Sequence, residues 1–370
     1  MGRLNDLEKL GQAVWLDFID RKLLAEGGLK KLVDEDGITG VTSNPSIFEK
    51  AMGHGDAYDA ELAEFDKAHP GAATMDRYEA LAISDIRDAA DTLRPVYDRL
   101  GGKDGYVSME VSPYLANDTD DTIAEAAKLW SMIDRPNVMI KIPGTAAGVP
   151  AIATSIDKGI NINVTLLFGI EAYKAVAMAF VEGLEKRAAR GEAIDRIASV
   201  ASFFVSRIDT KIDDAIDAGT GGEEAKALRG KVAIANAKLA YQWYLDFIQS
   251  DRWQALAAKG AMPQRLLWAS TGTKNPDYPD TLYLDTLIGK DTVNTVPPKT
   301  MDAFRDHGTA AETLTQDVDG ARHVLAEAER LGLDLDGVTA DLVEEGVASF
   351  SKAFDDLLGA IAAKHPAEAT

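Results

Sequence analysis

The chain carries eight short apolar runs that alternate with longer amphipathic stretches. The runs are rich in aliphatic, β-branched or aromatic residues, and turn-forming residues bound several of them, which is the pattern of strands between turns. The predicted strands span residues 13–19, 40–43, 106–111, 137–142, 161–167, 198–205, 265–269 and 292–296.

Helical patterns fill the intervals between these strands. Examples are residues 120–133 and 171–190, and residues 222–259 predict two helices rich in Ala, Leu and Lys. Strands that alternate with helices favour a parallel sheet, and eight of them favour a closed (β/α)8 barrel, which is the α/β TIM barrel. An open, doubly wound sheet is the alternative fold.

Two helical regions exceed the minimal barrel. Residues 53–100 hold more than one helical pattern and form an elaboration after the second strand, and residues 301–370 form a C-terminal helical extension. The sequence shows no linker, internal repeat or low-complexity segment. We therefore expect one domain over residues 1–370.

The composition of the chain argues against several classes of function. The chain has 39 basic and 60 acidic side chains, and its net charge of −21 opposes binding to nucleic acid or to an anionic membrane. No apolar run approaches the roughly 20 residues of a membrane span, and the N-terminus lacks the apolar core of a secretory signal. The absence of cysteine excludes disulfides, thiol catalysis and cysteine-ligated metals. These features fit a cytoplasmic protein, in which an anionic substrate would need a local cluster of basic residues.

Lys141 is an unusual residue for the fourth strand, because Met139, Ile140 and Ile142 surround it. Burial among such neighbours favours the neutral amine, which is the nucleophile that forms a Schiff base with a carbonyl. The plainer interpretation is a lysine at a strand end whose ammonium group reaches water. The other strand ends help to distinguish the two interpretations.

Polar and ionisable residues stand at the C-terminal ends of seven predicted strands, where barrels of this type carry their chemistry. These residues are Asp17, Asn44, Glu110, Lys141, Asn163, Thr165, Ser202, Arg207, Ser270 and Lys274. Single members have structural explanations, since Asp17 could begin a helix and Asn44 before a proline suits a turn or an N-cap. A buried Glu110 needs a partner. Their common position at the strand ends nevertheless predicts one site.

Histidine positions argue against a metal-dependent aldol cleavage. The five histidines lie outside the strand ends and form no H-x-H or H-x-x-x-H spacing. They are His54, His69, His307, His323 and His365. The glycine-rich segment 219–222 follows no predicted strand and lacks a G-K-[ST] ending, so we interpret it as a turn. We expect no metal and no other cofactor.

Three segments resemble signatures of the transaldolase family. Residues 40–46, Gly-Val-Thr-Ser-Asn-Pro-Ser, resemble its Thr/Ser-Asn-Pro-Ser signature, and residues 138–143, Val-Met-Ile-Lys-Ile-Pro, resemble its Schiff-base lysine strand. Residues 160–168 are similar to its Asn-x-Thr-Leu strand. The matches run from Asp17 to about Lys299. The extra helices after strand two resemble bacterial members that sometimes occur fused to a glucose-6-phosphate isomerase, a domain that this sequence does not contain.

The resemblance implies a reaction of non-oxidative pentose phosphate metabolism. A dihydroxyacetone unit would pass from sedoheptulose 7-phosphate or fructose 6-phosphate to glyceraldehyde 3-phosphate or erythrose 4-phosphate. Lys141 would attack the C2 carbonyl and form an iminium, and Asp17 would take and return the proton of the C4 hydroxyl. Glu110 would act with Thr165 through a water to shuttle protons as the carbinolamine dehydrates.

The resemblance also implies how the bound sugar is held. Asn44, Asn163 and Ser202 would orient the dihydroxyacetone hydroxyls, and Phe204 would help to wall the pocket. A direct ion pair between Glu110 and Lys141 would work against the nucleophilicity of the amine. We therefore expect a water or a hydroxyl between the two side chains.

At the phosphate end the chain departs from the family pattern. Arg207 matches the family arginine whose planar fork binds phosphate. Better-known members carry a second arginine at the position of Gly272. We expect Lys274, with Ser270, to substitute for it, and Gly272 would let a backbone amide approach the phosphate. A lysine on a surface loop is the alternative interpretation of Lys274.

Two other functions stay open at this stage. A fructose-6-phosphate aldolase on the same barrel would share the lysine but release free dihydroxyacetone, and a catalytically silent barrel would bind phosphates as a regulator or scaffold. Lys141, Glu110 and Asp17 are all intact, which speaks against a silent barrel. The expected partners are sugar phosphates, without nucleic acid or membrane, and we expect a monomer or a homodimer.

Overall fold

Eight parallel strands form a closed barrel in the computed structural model, which describes residues 2–364. The strands are β1 (Gln12–Leu16), β2 (Gly40–Val41), β3 (Tyr106–Glu110), β4 (Val138–Pro143), β5 (Ile162–Leu167), β6 (Ser199–Phe204), β7 (Arg265–Ala269) and β8 (Thr292–Val296). Each strand pairs with the next, and the parallel pairing of β1 with β8 closes the barrel. The predicted TIM barrel is confirmed, and the alternative of an open sheet is wrong.

Helices surround the barrel and extend beyond it. In chain order they are α1 (Arg3–Lys9), α2 (Arg21–Ala25), α3 (Gly28–Asp36), α4 (Pro45–Gly53), α5 (Asp59–Ala68), α6 (Thr74–Arg99), α7 (Thr119–Ile133), α8 (Gly148–Asp157), α9 (Ile170–Ala189), α10 (Ser206–Asp217), α11 (Gly222–Ala225), α12 (Val232–Phe247), α13 (Asp251–Ala257), α14 (Leu282–Asp285), α15 (Pro298–His307), α16 (Val318–Arg330) and α17 (Leu335–Lys364). Short 3₁₀ turns lie at Pro113–Leu115 and Lys226–Leu228. No helix within residues 2–364 is both long enough and apolar enough to cross a membrane.

The two helical regions predicted beyond the barrel contain helices. Helices α5 and α6 lie in the segment after β2, and α15, α16 and α17 lie in the C-terminal segment. The last part of that segment, residues 365–370, lies outside the described residues.

The predicted elements differ from the observed ones mainly at their ends. The first strand ends at Leu16 instead of residue 19, although the Asp17 amide still donates to Val296 O at 3.0 Å. Residues 222–259 contain α11, a 3₁₀ turn, α12 and α13, so the prediction of two helices is wrong in detail. One break falls at Gly230, whose φ of +67° suits a residue without a Cβ.

Large side chains pack the barrel interior beneath the strand ends. Trp15 is fully buried, and its indole Nε1 donates to Asp104 Oδ1 at 2.9 Å. The Thr39 hydroxyl donates to the other oxygen of Asp104, also at 2.9 Å. A Cβ at Gly40 would lie 2.5 Å from the Trp15 ring, so only glycine fits beside it. This packed layer supports the C-terminal ends of the strands from below.

The last helix, α17, lies across the C-terminal ends of the strands. It packs against β5 and α10 on one side of the barrel and against α4, α6 and the turn Pro113–Leu115 on the other. Its buried residues recur every three or four positions, which gives one apolar stripe. The stripe consists of Leu342, Gly346, Phe350, Phe354, Leu357 and Ile361.

Candidate active site

A cavity of about 130 Å³ lies at the C-terminal ends of the strands. Its lining is Asp17, Thr42, Asn44, Ser46, Lys141, Thr165, Ser202, Phe204, Arg207, Leu267, Ala269, Ser270, Thr295 and Phe350. Most of the predicted site residues are in this lining, whereas Glu110, Asn163 and Lys274 lie around it. A larger cavity of about 400 Å³ surrounds the strand starts, but barrels of this class carry their chemistry at the C-terminal ends.

Lys141 brings a buried amine from β4 into this cavity. The residue is only 5% exposed, and its Nζ donates to Ser43 O at 2.9 Å. The same Nζ lies 3.2 Å from Glu110 Oε2. Glu110 and Lys141 are paired in the register of β3 and β4, so their side chains reach the interior at the same level. The prediction of a water or hydroxyl between them is therefore wrong, because the two groups are in direct contact.

Glu110 is the acid beside the amine. Burial raises the pKa of its carboxyl group, and this effect exceeds the opposite effect of the Lys141 charge. Neither of its carboxyl oxygens has a hydrogen-bond partner among residues 2–364, and the approach of Lys141 Nζ to Oε2 is an ion-pair contact only. A carboxyl group in such a place holds a proton more readily than usual and can pass it to a reacting group.

Thr165 presents a second unpaired oxygen near Lys141. Its side chain is buried on β5, and its Oγ1 has no hydrogen-bond partner within the described part of the chain. The next residue, Leu166, has a φ of +57°, and the pairing of β5 with β6 shifts register between Val164 and Leu167. Irregularities of this kind re-aim side chains near functional sites. The Thr165 hydroxyl can therefore bond to a water or to a substrate hydroxyl in the cavity.

Asp17 follows β1 directly and supplies a second carboxylate. The Thr42 hydroxyl donates to Asp17 Oδ1 at 2.9 Å. Burial raises the pKa of Asp17, whereas the Thr42 hydrogen bond and the nearby cations, Lys141 first among them, lower it. Such opposing influences suit a group that takes and returns a proton.

Asn163 is not in the lining of the cavity, although it is in register with Lys141 on the neighbouring strand. The residue is fully buried on β5, and its Oδ1 accepts from the Ser202 hydroxyl at 2.7 Å. Its Nδ2 donates to Ser108 Oγ at 3.0 Å. Ser202 does line the cavity. Asn163 is therefore placed to orient Ser202, and its predicted contact with the sugar stays a prediction.

Asn44 caps a helix and also lines the cavity. It is the N-cap of α4, and its Oδ1 accepts from the Ile47 amide at 3.0 Å. The same residue lines the cavity together with Ser46. The N-cap interpretation and the site interpretation are thus compatible, because the cap fixes the side chain at the rim.

Arg207 provides the positive end of the cavity. It stands in the first turn of α10, and its guanidinium lies 5.2 Å from the centre of the Phe204 ring. Burial lowers the pKa of Arg207, and Asp17 raises it. Ser270 closes the same end through a 2.9 Å contact between its Oγ and Ser206 Oγ.

Lys274 faces a neighbouring cavity of about 230 Å³, which the predicted site did not include. The carboxylates of Asp209 and Asp213 also line this space. Burial lowers the pKa of Lys274, and the nearby Arg207 charge lowers it further. Lys274 is thus close enough to Arg207 to form one positive cluster, although it lies outside the lining around Lys141.

Six residues of the lining were not singled out from the sequence, and two of them, Leu267 and Ala269, are apolar residues of β7. Thr42 lies just beyond β2, in a segment where only Asn44 was singled out, and Thr295 lies near the end of β8, which had no assigned polar residue. Ser46 lies in the first turn of α4. Phe350 comes from α17, and its amphipathic pattern could not indicate the cavity that it faces.

The described histidines lie away from the strand ends. His54 and His69 follow α4 and α5, His307 ends α15, and His323 lies within α16. His365 lies outside the described residues. Within residues 2–364, no group of three or more His, Asp or Glu side chains is placed to hold a metal ion.

Comparison with known proteins identifies the family of this barrel. Residues 14–361 match the family model described as Transaldolase/Fructose-6-phosphate aldolase. The chain belongs to this family. A protein named Transaldolase from Thiobacillus denitrificans is 52% identical over 361 residues, which cover 98% of this chain and 100% of the relative.

Further relatives of the Transaldolase/Fructose-6-phosphate aldolase family are similar over comparable lengths. A Transaldolase from Trichodesmium erythraeum is 48% identical over 370 residues, covering 98% of this chain and 97% of the relative. Transaldolase 2 from Streptomyces coelicolor is 50% identical over 356 residues, covering 96% and 95%. The resemblance carried by residues 40–46, 138–143 and 160–168 is thereby confirmed at the level of the family.

Proposed function

We propose that this protein is a transaldolase that moves a dihydroxyacetone unit from sedoheptulose 7-phosphate or fructose 6-phosphate to glyceraldehyde 3-phosphate or erythrose 4-phosphate. The observation that carries the proposal is the buried Lys141 amine, which faces the cavity and contacts Glu110. A buried amine beside a proton acceptor is the arrangement that Schiff-base chemistry needs. Relatives named Transaldolase, about half identical over nearly their full lengths, support the same activity.

The first step in this proposal is formation of the Schiff base. Glu110 accepts a proton from the Lys141 amino group as its nitrogen attacks C2 of the ketose phosphate. Glu110 then returns the proton to the departing hydroxyl, and the carbinolamine loses water to give the iminium. The unpaired Thr165 hydroxyl would hold the water that carries this proton.

The second step is cleavage of the bond between C3 and C4. Asp17 removes the proton of the C4 hydroxyl, the C4 aldehyde forms, and the electrons of the broken bond enter the iminium to give an enamine. An aldose phosphate leaves, and a dihydroxyacetone unit stays on Lys141. Burial raises the pKa of Asp17, and the Thr42 hydrogen bond and nearby cations partly offset this rise, which supports a role as this base.

The third step reverses the second with a new aldehyde. The enamine carbon attacks the carbonyl carbon of the acceptor aldose phosphate, and Asp17 returns its proton to the new alkoxide. Water then hydrolyses the iminium, which releases the product ketose phosphate and restores Lys141. Ser202, held by Asn163, and Asn44, held at its cap, would fix the hydroxyls of the bound unit through both half-reactions.

The substrate phosphate would bind at the positive end of the cavity. Arg207 and Ser270 are in the lining, and Lys274 lies on the far side of the same cluster. Phe204 supports the guanidinium of Arg207 from below. Because the chain carries a net charge of −21, this cluster is needed to attract an anionic substrate.

We further propose the cellular setting that such a reaction implies. The enzyme would act in the cytoplasm on sugar phosphates of the non-oxidative pentose phosphate pathway, without a metal or organic cofactor. It would work as a monomer or a homodimer.

A fructose-6-phosphate aldolase is the second candidate, because the matched family model includes both activities. The two enzymes share the Schiff base and differ in what accepts the dihydroxyacetone unit. Product analysis with fructose 6-phosphate separates them. A transaldolase yields sedoheptulose 7-phosphate and glyceraldehyde 3-phosphate only when erythrose 4-phosphate is present. Sustained release of free dihydroxyacetone without an acceptor would replace the proposal by the aldolase.

A further inference from the structure

One wall of the active-site cavity comes from outside the barrel. Phe350, on α17, is buried and lines the same cavity as Lys141, Asp17 and Arg207. All other lining residues belong to the strands or to the segments that directly follow them. The C-terminal helix therefore contributes an apolar ring to a space that is otherwise largely polar.

Contacts at the first half of α17 hold this helix beside β5 and β6. Glu345 pairs with Lys211 of α10. A Cβ at Gly346 would lie 2.7 Å from Leu166 Cδ2, so the helix and this leucine are in close contact. Leu166 is the residue with a φ of +57°, directly after Thr165. Docking of α17 and the placement of the Thr165 hydroxyl therefore depend on the same packing.

Contacts at the second half of α17 hold it on the opposite side of the barrel. The Phe354 ring meets Tyr78 edge to face at 5.1 Å between ring centres and Tyr114 at 5.6 Å. Tyr114 Oη donates to Asp355, and Lys364 Nζ lies 2.9 Å from Asp59 Oδ1. The helix is thus fixed at both ends, and Phe350 lies between these anchors over the cavity.

We propose that Phe350 determines reaction specificity by keeping water away from the dihydroxyacetone unit on Lys141. This inference rests on the proposed function. After the aldose phosphate leaves, the enamine can attack an acceptor aldehyde, or its carbon can take up the proton that Asp17 removed from the C4 hydroxyl, which gives an iminium. Water that adds to the iminium carbon gives a carbinolamine, which expels the Lys141 amine and releases free dihydroxyacetone. An apolar ring above the intermediate slows this hydrolysis and favours transfer.

Substitution of Phe350 tests this role through the partition of products. With fructose 6-phosphate and erythrose 4-phosphate, Phe350→Ala should raise the ratio of free dihydroxyacetone to sedoheptulose 7-phosphate by about tenfold. Phe350→Leu, which keeps an apolar side chain, should give a ratio between those of Phe350→Ala and the original protein. An unchanged ratio in Phe350→Ala would overturn the proposal.

Phe354→Ala is the matched control for a loss of helix packing. Phe354 lies on the same stripe, one turn further on, packs on Tyr78 and Tyr114, and borders the small space beside Glu110 instead of the cavity around Lys141. This variant should lower the thermal midpoint and leave the product ratio unchanged. If Phe354→Ala raised the ratio as much as Phe350→Ala does, docking of α17 and not the Phe350 ring would be responsible, and the assignment to Phe350 would fail.

Borohydride trapping separates this inference from the proposed function. The original protein and Phe350→Ala should both form a reduced adduct on Lys141 with fructose 6-phosphate. An adduct in both with an unchanged product ratio would contradict the role of Phe350 alone. The absence of an adduct in the original protein would contradict the proposed function and the role of Phe350 together.

Discussion

The pairing of Lys141 with Glu110 is easier to explain by chemistry than by stability. Both side chains are at most 7% exposed, and the amine and carboxylate are 3.2 Å apart. The desolvation cost of a buried ion pair often exceeds the attraction between its charges, so apolar residues of similar size would serve the barrel core as well. Burial also raises the pKa of Glu110. The raised pKa makes Glu110 a suitable partner for proton exchange with the nucleophile during attack on a carbonyl.

The first prediction concerns the positive end of the cavity. Arg207→Ala should lower kcat/KM for fructose 6-phosphate, because it removes one partner of a buried charged contact. The loss should correspond to about 2–4 kcal/mol of transition-state stabilisation. Lys274→Ala should act in the same direction but more weakly, since a loop lysine is less pre-organised than an arginine fork. Steady-state kinetics on fructose 6-phosphate measure both effects.

Unphosphorylated fructose is the matched control for these two variants. It should be a poor substrate of the original protein, and its kcat/KM should barely change in either variant, because it has no phosphate to lose. Equal losses on fructose and fructose 6-phosphate would show that Arg207 and Lys274 support the fold or the catalytic step, and the phosphate site would have to be reassigned.

Among the elements, the strands were predictable and their mutual register was not. Each strand is a local run of apolar and β-branched residues, so its sequence indicates it directly. The direct contact of Glu110 with Lys141 depends on how β3 and β4 align, and Asn163 reaches Ser202 across β5 and β6. Such contacts join residues far apart in the sequence, and no local pattern encodes their distance.

Helix α10 gives a prediction about pH, because it carries a buried carboxyl group. Asp209 accepts from the Ala233 amide at 2.8 Å and from the Tyr283 hydroxyl at 2.9 Å. Burial raises the pKa of Asp209 from 3.8 to about 7. The folded protein therefore binds a proton that the unfolded chain has already lost. The resulting stability is complete below the unfolded pKa and is lost as the pH rises through about 7.

Asp209→Asn should remove this contribution to the pH dependence. Between about pH 5 and about pH 8, the free energy of unfolding should fall less in Asp209→Asn than in the original protein. Urea unfolding at both pH values measures the difference. Asp214→Asn, which neutralises an exposed carboxylate on the same helix, should retain the original pH dependence. The same fall in Asp209→Asn as in the original protein would contradict the titration of Asp209.

On the scale of the whole molecule, the position of α17 is the feature that the sequence could not provide. The C-terminal segment was predicted as a helical extension, and its apolar stripe shows that one face of the helix is buried. The stripe does not show which part of the protein covers that face. Its contacts reach segments that follow β2, β3, β5 and β6. Only the closed barrel brings these segments together. The position of Phe350 in the active-site cavity therefore could not be predicted from the sequence.

The complete reaction assigned to the chain needs no metal, because the iminium on Lys141 accepts the electrons of the broken bond. Activity with fructose 6-phosphate and erythrose 4-phosphate should therefore survive prolonged treatment with EDTA followed by gel filtration. A loss of activity that added zinc restores would point to a metal-dependent aldol cleavage instead.

The most direct test of the account is covalent trapping at Lys141. Treatment with fructose 6-phosphate and borohydride should inactivate the protein irreversibly, and peptide mapping should place the reduced sugar unit on Lys141. Lys141→Arg, which keeps the charge but removes the nucleophile, should stay folded, lack activity and form no adduct. An adduct on Lys158 or Lys274, or the absence of any adduct in an active preparation, would contradict the Schiff-base mechanism on which the account depends.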